Sequence, residues 1–145
     1  LITLNLSCNS FSESIPRELF FLDSLSSGLD LSHNQLSGQI PSEIGGLINI
    51  GPLNFSNNRL SGHIPTALGA CIRLESLRLE GNLLDGRIPE SFSNLRGIAE
   101  IDLSRNNLSG EIPNFFQSFN SLKHLNFSFN DLNGTVCPRE QYVMF

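Results

Sequence analysis

Leu-x-Leu-Ser-x-Asn-x-Leu-Ser-Gly-x-Ile-Pro returns along the whole of this chain, and a period of that length leaves few folds open. Its marker asparagines, Asn9, Asn34, Asn58, Asn82, Asn106 and Asn130, stand 25 residues apart once and then 24 apart. The one extra residue falls at Ser26, Ser27 and Gly28. Before each marker comes a pair of apolar residues two apart, from Leu4/Leu6 and Leu29/Leu31 to Leu125/Phe127, and that spacing puts both side chains on one face of a strand.

After each marker the pattern continues through Leu36, Leu60, Leu84 or Leu108 to Ile40, Ile64, Ile88 or Ile112, and then to a proline. Pro16, Pro41, Pro65, Pro89 and Pro113 fix φ and remove a donor, so the strand must give way to a turn. Apolar residues three, six and nine positions later suit a short 3₁₀ or irregular return on a convex side. Cys71 occupies the middle of these slots, where leucine or phenylalanine stands in other turns, and is read as a buried hydrophobe. Gly38, Gly62, Gly86, Gly110 and Gly134 recur where a Cβ would hinder the backbone, and Glu13 breaks that column.

One such turn cannot cover its own leucines, whereas stacked turns seal one another. The expected architecture is therefore an α/β solenoid with a parallel concave β-sheet and a 3₁₀ or irregular convex side. It divides into six repeats over residues 1–136 (1–25, 26–49, 50–73, 74–97, 98–121 and a partial 122–136) and an atypical tail, 137–145. The marker asparagines should point inward and bond backbone groups of their own and the next turn as a ladder, because an unpaired buried amide costs about 1–3 kcal/mol.

The residues between and beside the strand leucines map a concave face. One column reads Asn5, Asp30, Asn54, Arg78, Asp102 and Asn126; the next reads Ser7, Ser32, Ser56, Glu80, Ser104 and Ser128, a mostly neutral hydroxyl stripe. Strand spacing of about 4.7–4.9 Å lets Arg78 reach Asp102 or face a ligand. Charge gathers in turns four to six, where Glu75, Arg78, Glu80, Glu100, Asp102, Arg105, Lys123 and His124, with an outward Phe129, form a candidate contact patch. The alternative is a solvated face whose charges pair with one another and contribute little. Pro52, beside strand residue Leu53, removes one donor from a parallel ladder; it either loosens turn three or is neutral, the reading preferred here.

A net charge of −5 provides no basic footprint for nucleic acid or an anionic membrane. No apolar run reaches the length of a membrane span. His33, His63 and His124 fall in three different columns, so no catalytic triad or metal site follows, and no cofactor is expected. Carboxylates on an open, wet sheet lack the burial that tunes acid–base catalysts.

These residues resemble the plant-specific class of extracellular leucine-rich repeats, whose consensus carries Leu-x-Gly-x-Ile-Pro after the asparagine. The resemblance runs from Leu1 to Val136. The stretches Ser93 to Ile98, Asp102 to Gly110 and Asn126 to Asp131 are similar to the last repeats of the receptor-like kinase subfamily that contains the flagellin and elongation-factor-Tu immune receptors. The resemblance implies a right-handed superhelix and a non-enzymatic ectodomain at the outer side of the plasma membrane. It further implies a protein or peptide ligand and a leucine-rich-repeat co-receptor, with the membrane span and serine/threonine kinase outside this sequence.

Five Asn-x-Ser/Thr sequons, at Asn5, Asn54, Asn107, Asn126 and Asn133, suit a secreted chain, although the repeat itself generates some of them. The family's cysteine-bearing caps are not in this sequence, and Cys137 precedes Pro138 where the family has proline directly. Without caps the end turns are expected to expose apolar sides and make the segment poorly soluble. Two alternatives to a receptor remain: a soluble inhibitor similar to the polygalacturonase inhibitors, and a truncated product that binds nothing.

Overall fold

The computed structural model describes residues 1–134. Two parallel sheets run the length of the stack. One is built from β1 (Thr3–Asn5), β3 (Gly28–Asp30), β5 (Pro52–Asn54), β7 (Ser76–Arg78), β9 (Glu100–Asp102) and β11 (His124–Asn126), in that order. Its register sets Leu4 beside Leu29, Leu29 beside Leu53, Leu53 beside Leu77, Leu77 beside Ile101 and Ile101 beside Leu125. Each turn therefore presents the same leucine to the same neighbour, and these side chains are buried from Leu29 onward.

A second sheet, β2 (Ser12–Ser14), β4 (Gln35–Gln39), β6 (Arg59–His63), β8 (Leu83–Gly86), β10 (Asn107–Glu111) and β12 (Asp131–Asn133), follows the marker asparagines. The sequence reading has one sheet and treats this stretch as the way to the proline. Its cause is the alternation Leu36, Gly38, Ile40 with polar residues between, which is strand spacing even though glycine sits at its centre. The return path is 3₁₀ helix in five turns, at Arg17–Phe21, Ser42–Gly46, Thr66–Ala70, Glu90–Asn94 and Asn114–Ser118, each entered from a proline with extended ψ. No helix among the described residues is long and apolar enough to cross a membrane.

The core is one continuous column from Ile15 to Phe127. Cys71 is fully buried in its leucine slot, its Sγ 3.4 Å from the Ile44 carbonyl oxygen, and burial pushes its thiol up to about 11. Phe116, Phe119 and Phe127 close the core around turn six, with the ring of Phe116 5.7 Å from Phe119 and 5.5 Å from Phe127. At the other end Leu1, Ile2 and Phe11 are exposed.

Four marker asparagines, Asn34, Asn58, Asn82 and Asn106, are buried. Asn82 accepts a bond from Leu60 N–H at 3.0 Å and donates to the carbonyls of Phe55, Leu79 and Glu80. Asn58, Asn106 and Asn130 repeat that set, each clasping the preceding turn. The direction differs from the expectation, which joined each amide to the following turn. Asn9, in the first turn, donates only to its own Leu6 and Ser7 carbonyls.

The glycine column shares a backbone cause, a positive φ of 75–93° that strains any side chain, and at Gly86 a collision is added to it. Gly86 adopts φ +75°, and a Cβ there would run into the imidazole of His63, which lies across it from the turn before. Glu13, the column's exception, is held at φ 67°. Pro52 removes one bond: Glu75 and Ser76 N–H both donate to the Gly51 carbonyl, whereas one turn earlier only Gly51 N–H reaches Ser26. Leu29/Leu53 and Asp30/Asn54 still pair beside it, so the disturbance stays at one residue.

Candidate functional site

The concave face owes its regularity to a side-chain turn. In five of its six turns an Asn or Asp between the strand leucines accepts a bond from the backbone N–H of the serine two residues on: Asn5 from Ser7, Asp30 from Ser32, Asn54 from Ser56, Asp102 from Ser104 and Asn126 from Ser128, at 2.9–3.0 Å. This draws the serine column inward. Ser32, Ser56 and Ser104 are buried between neighbouring turns and Ser7 and Ser128, in the end turns, are half-buried, so the expected hydroxyl stripe is largely covered.

Turn four breaks the pattern, with Arg78 and Glu80 in place of the Asn/Asp and serine. Arg78 Nη2 lies 2.5 Å from Glu80 Oε1, and Arg78 Nε lies 3.6 Å from Glu100 Oε1. Glu80 is thus buried rather than an outward contact residue as read from the sequence, because it inherits the serine's inward position. Its second oxygen, Oε2, is closed to solvent and lacks a hydrogen-bond partner. Burial raises the Glu80 pKa; its own backbone N–H and Arg78 oppose the rise, Asp102 adds to it, and the net shift is upward. For Arg78 burial works against the charge, but attraction to Glu80, Glu100 and Asp102 outweighs it and the pKa rises.

The residue before each marker forms a further column that the sequence reading did not single out. Cys8, His33, Asn57, Gly81, Arg105 and Phe129 all sit at positive φ, between 55° and 71°. Gly81 and Asn57 are residue types suited to that region, and were the only sequence signal for it. Arg105 and Phe129 are held there by the repeat and project outward, with the Arg105 guanidinium carbon 5.7 Å from the centre of the Phe129 ring. Phe129 is 75% exposed.

An open depression of about 400 Å³ is lined by Asn57, Arg78, Glu80, Asp102, Arg105 and Phe129, among others. Arg78 also borders a trough of about 370 Å³ that runs across β1 to β9 and includes Glu100. Arg78 is therefore the ridge between two hollows. Glu75, Lys123 and His124 are exposed but line neither hollow. Of the sequons, Asn5, Asn54 and Asn126 lie on the concave sheet, and Asn107 and Asn133 are exposed on the second sheet. Among the described residues no three His, Cys, Asp or Glu side chains gather as a metal site. Val136, Cys137 and the expected tail 137–145 lie outside the described residues.

Comparison with known proteins follows the repeat. Two leucine-rich-repeat family models match, one at residues 72–132 and the other at 1–22, 27–47 and 53–71. No curated protein matches significantly by sequence. Among solved structures, the BIR2 ectodomain from Arabidopsis thaliana is 40% identical with a TM-score of 0.80, over 96% of this chain and 70% of that one. The Arabidopsis receptor kinase HAESA ectodomain, solved with an IDA peptide hormone ligand, is 39% identical with a TM-score of 0.84, over 88% of this chain. A plant ice-binding protein is 33% identical with a TM-score of 0.89, over 99% of this chain and 50% of that one. The chain spans 21% of the length of the HAESA ectodomain.

Proposed function

This chain belongs to the leucine-rich-repeat proteins, and from that premise we propose that it is a recognition segment of a plant receptor-like kinase ectodomain, holding a peptide or protein ligand on its concave face. The kinase and the membrane span belong to parts of the protein outside this sequence, and the segment works on the extracellular side of the plasma membrane. A leucine-rich-repeat co-receptor is the second partner; one similar structure is the BIR3–SERK2 complex from Arabidopsis thaliana. The motif resemblance to the flagellin and elongation-factor-Tu receptors favours an immune signal.

The observation that carries this reading is the interruption at turn four. A fold shared with an ice-binding protein does not choose a ligand by itself. This face has a charged ridge at Arg78 and an outward aromatic at Phe129. An exposed aromatic beside an arginine is the composition that anchors polypeptides. Glycans on Asn5 and Asn54 would leave turn four open, whereas one on Asn126, which lines the depression with Phe129, would cover it.

The test is selection of binders from a displayed random-peptide library, with the footprint read by amide hydrogen exchange. Protection at Arg78, Asp102 and Phe129, with binding lowered at least about tenfold by Phe129→Ala, is the expected result. Footprints confined to the second sheet, or centred on Asn5 or Asn54, would defeat the reading.

A further inference from the structure

The five sequons do not stand alike in the fold. Asn5, Asn54 and Asn126 each give the amide oxygen to the backbone N–H of their own sequon serine, at 2.9–3.0 Å. At Asn5 and Asn126 the serine hydroxyl bonds the same oxygen, at 2.6 and 2.8 Å. Asn54 and Asn126 are also half-buried, the first between Asp30 and Arg78 on neighbouring strands and the second beside Asp102. Asn107, on β10, is exposed, and its side-chain amide makes no hydrogen bond among the described residues. It opens into a hollow of about 430 Å³ lined by Asn106, Asn107, Ser109, Phe129, Asn130 and Asp131. That volume lies within the range of about 300–1,000 Å³ that small-ligand sites span.

The hollow has the two kinds of wall that a sugar ring needs. Phe129 offers an exposed apolar ring, and Ser109 and Asp131, paired in register across β10 and β12, offer polar groups. We propose that Asn107 carries an N-linked glycan whose first N-acetylglucosamine lies in this hollow, its C–H face on the Phe129 ring. In the transfer, Asn107 Nδ2 bonds to C1 of the sugar and gives up one proton. The C1–O bond to a lipid-diphosphate donor breaks, and the lipid diphosphate leaves with the electron pair. No hydrogen bond of the fold is lost to make room for it. Arg78, Asp102 and Asn57 do not line the hollow, so the glycan shields the second sheet at turns five and six and leaves the Arg78 side of the neighbouring depression open. The site rests on the extracellular reading above.

The test is mass spectrometry of intact glycopeptides from the full-length protein expressed in plant cells, with hydroxyl-radical footprinting of the same material. Asn107 should carry an oligosaccharide in most molecules, with Asn54 and Asn126 bare. Ser109→Ala, which removes the sequon and keeps Asn107, should lose the mass of one glycan and raise oxidation of the Phe129 side chain at least about twofold. Asn107→Gln should do the same. A secreted protein with Asn107 bare, whether or not Asn54 or Asn126 is filled, would overturn the site and leave the extracellular reading standing. An occupied Asn107 with Phe129 oxidation unchanged in both variants would overturn the placement of the sugar against the ring. Protein held in the cytosol with every sequon bare would overturn the extracellular reading and this site with it.

Discussion

Arg78 Nη2 and Glu80 Oε1, 2.5 Å apart on β7 and the residue group after it, occupy the positions that an Asn/Asp and a serine occupy in every other turn. A neutral turn has been exchanged there for an ion pair, one end of which is buried. Replacing a hydroxyl with a carboxylate at an inward position carries a desolvation cost that the pairing offsets only in part, which is why the Glu80 pKa lies above the ordinary 4.5 while Arg78 stays charged.

The sign of that shift sets a pH dependence. A carboxyl with a raised folded pKa binds its proton more readily in the native state than in the unfolded chain, so its ionisation lowers stability as pH rises from 4.5 through the raised value. Glu80→Gln, neutral throughout, should be at least as stable as wild type near neutral pH, and that advantage should shrink as pH falls toward 4.5. Urea midpoints of both proteins across that range measure it. A Gln variant that is less stable at neutral pH would show that the Arg78 pair outweighs the burial cost.

Asn82→Ala should cost about 3 kcal/mol or more, because it leaves Leu60 N–H and several carbonyls unpaired inside the stack. Asn9→Ala, exposed and bonded only within its own turn, should cost less than about 1 kcal/mol. Chemical denaturation compares them, and equal losses would mean that the amide's contribution is local rather than between turns.

In the glycine column, Gly86→Ala should destabilise by about 1–3 kcal/mol through its positive φ and its collision with His63. Adding His63→Ala should recover the steric share and leave the backbone share. The converse change, Glu13→Gly at φ 67°, should stabilise by about 1 kcal/mol. A double-mutant cycle with no coupling between residues 63 and 86 would refute the steric account.

Cys8 is exposed and Cys71 is buried with its thiol pushed up to about 11. Under native conditions at neutral pH a thiol reagent should modify Cys8 within minutes and leave Cys71 intact until the chain unfolds. Peptide mass spectrometry resolves the two sites; native labelling of Cys71 would mean that turn three opens locally.

What could be read from the amino acids alone was whatever recurs with the period. The strand leucines, the prolines, the inward asparagines and the identity of Cys71 as a leucine substitute are all statements about one slot repeated along the chain, and one repeat is enough to predict the next. The same reasoning placed Arg78, Asp102, Arg105 and Phe129 in the charged region of the concave side. It failed where a residue's environment comes from its neighbours in space. Glu80 counted among the concave contact residues because it alternates with the buried strand leucines, but neighbouring turns bury that slot, as they do at Ser56 and Ser104. The second sheet required parallel partners one turn away, and glycine at its centre masked its strand character. The left-handed column is a backbone property that Arg105 and Phe129 do not advertise. Period belongs to the sequence, whereas burial, register and strain arise only when six turns press against one another.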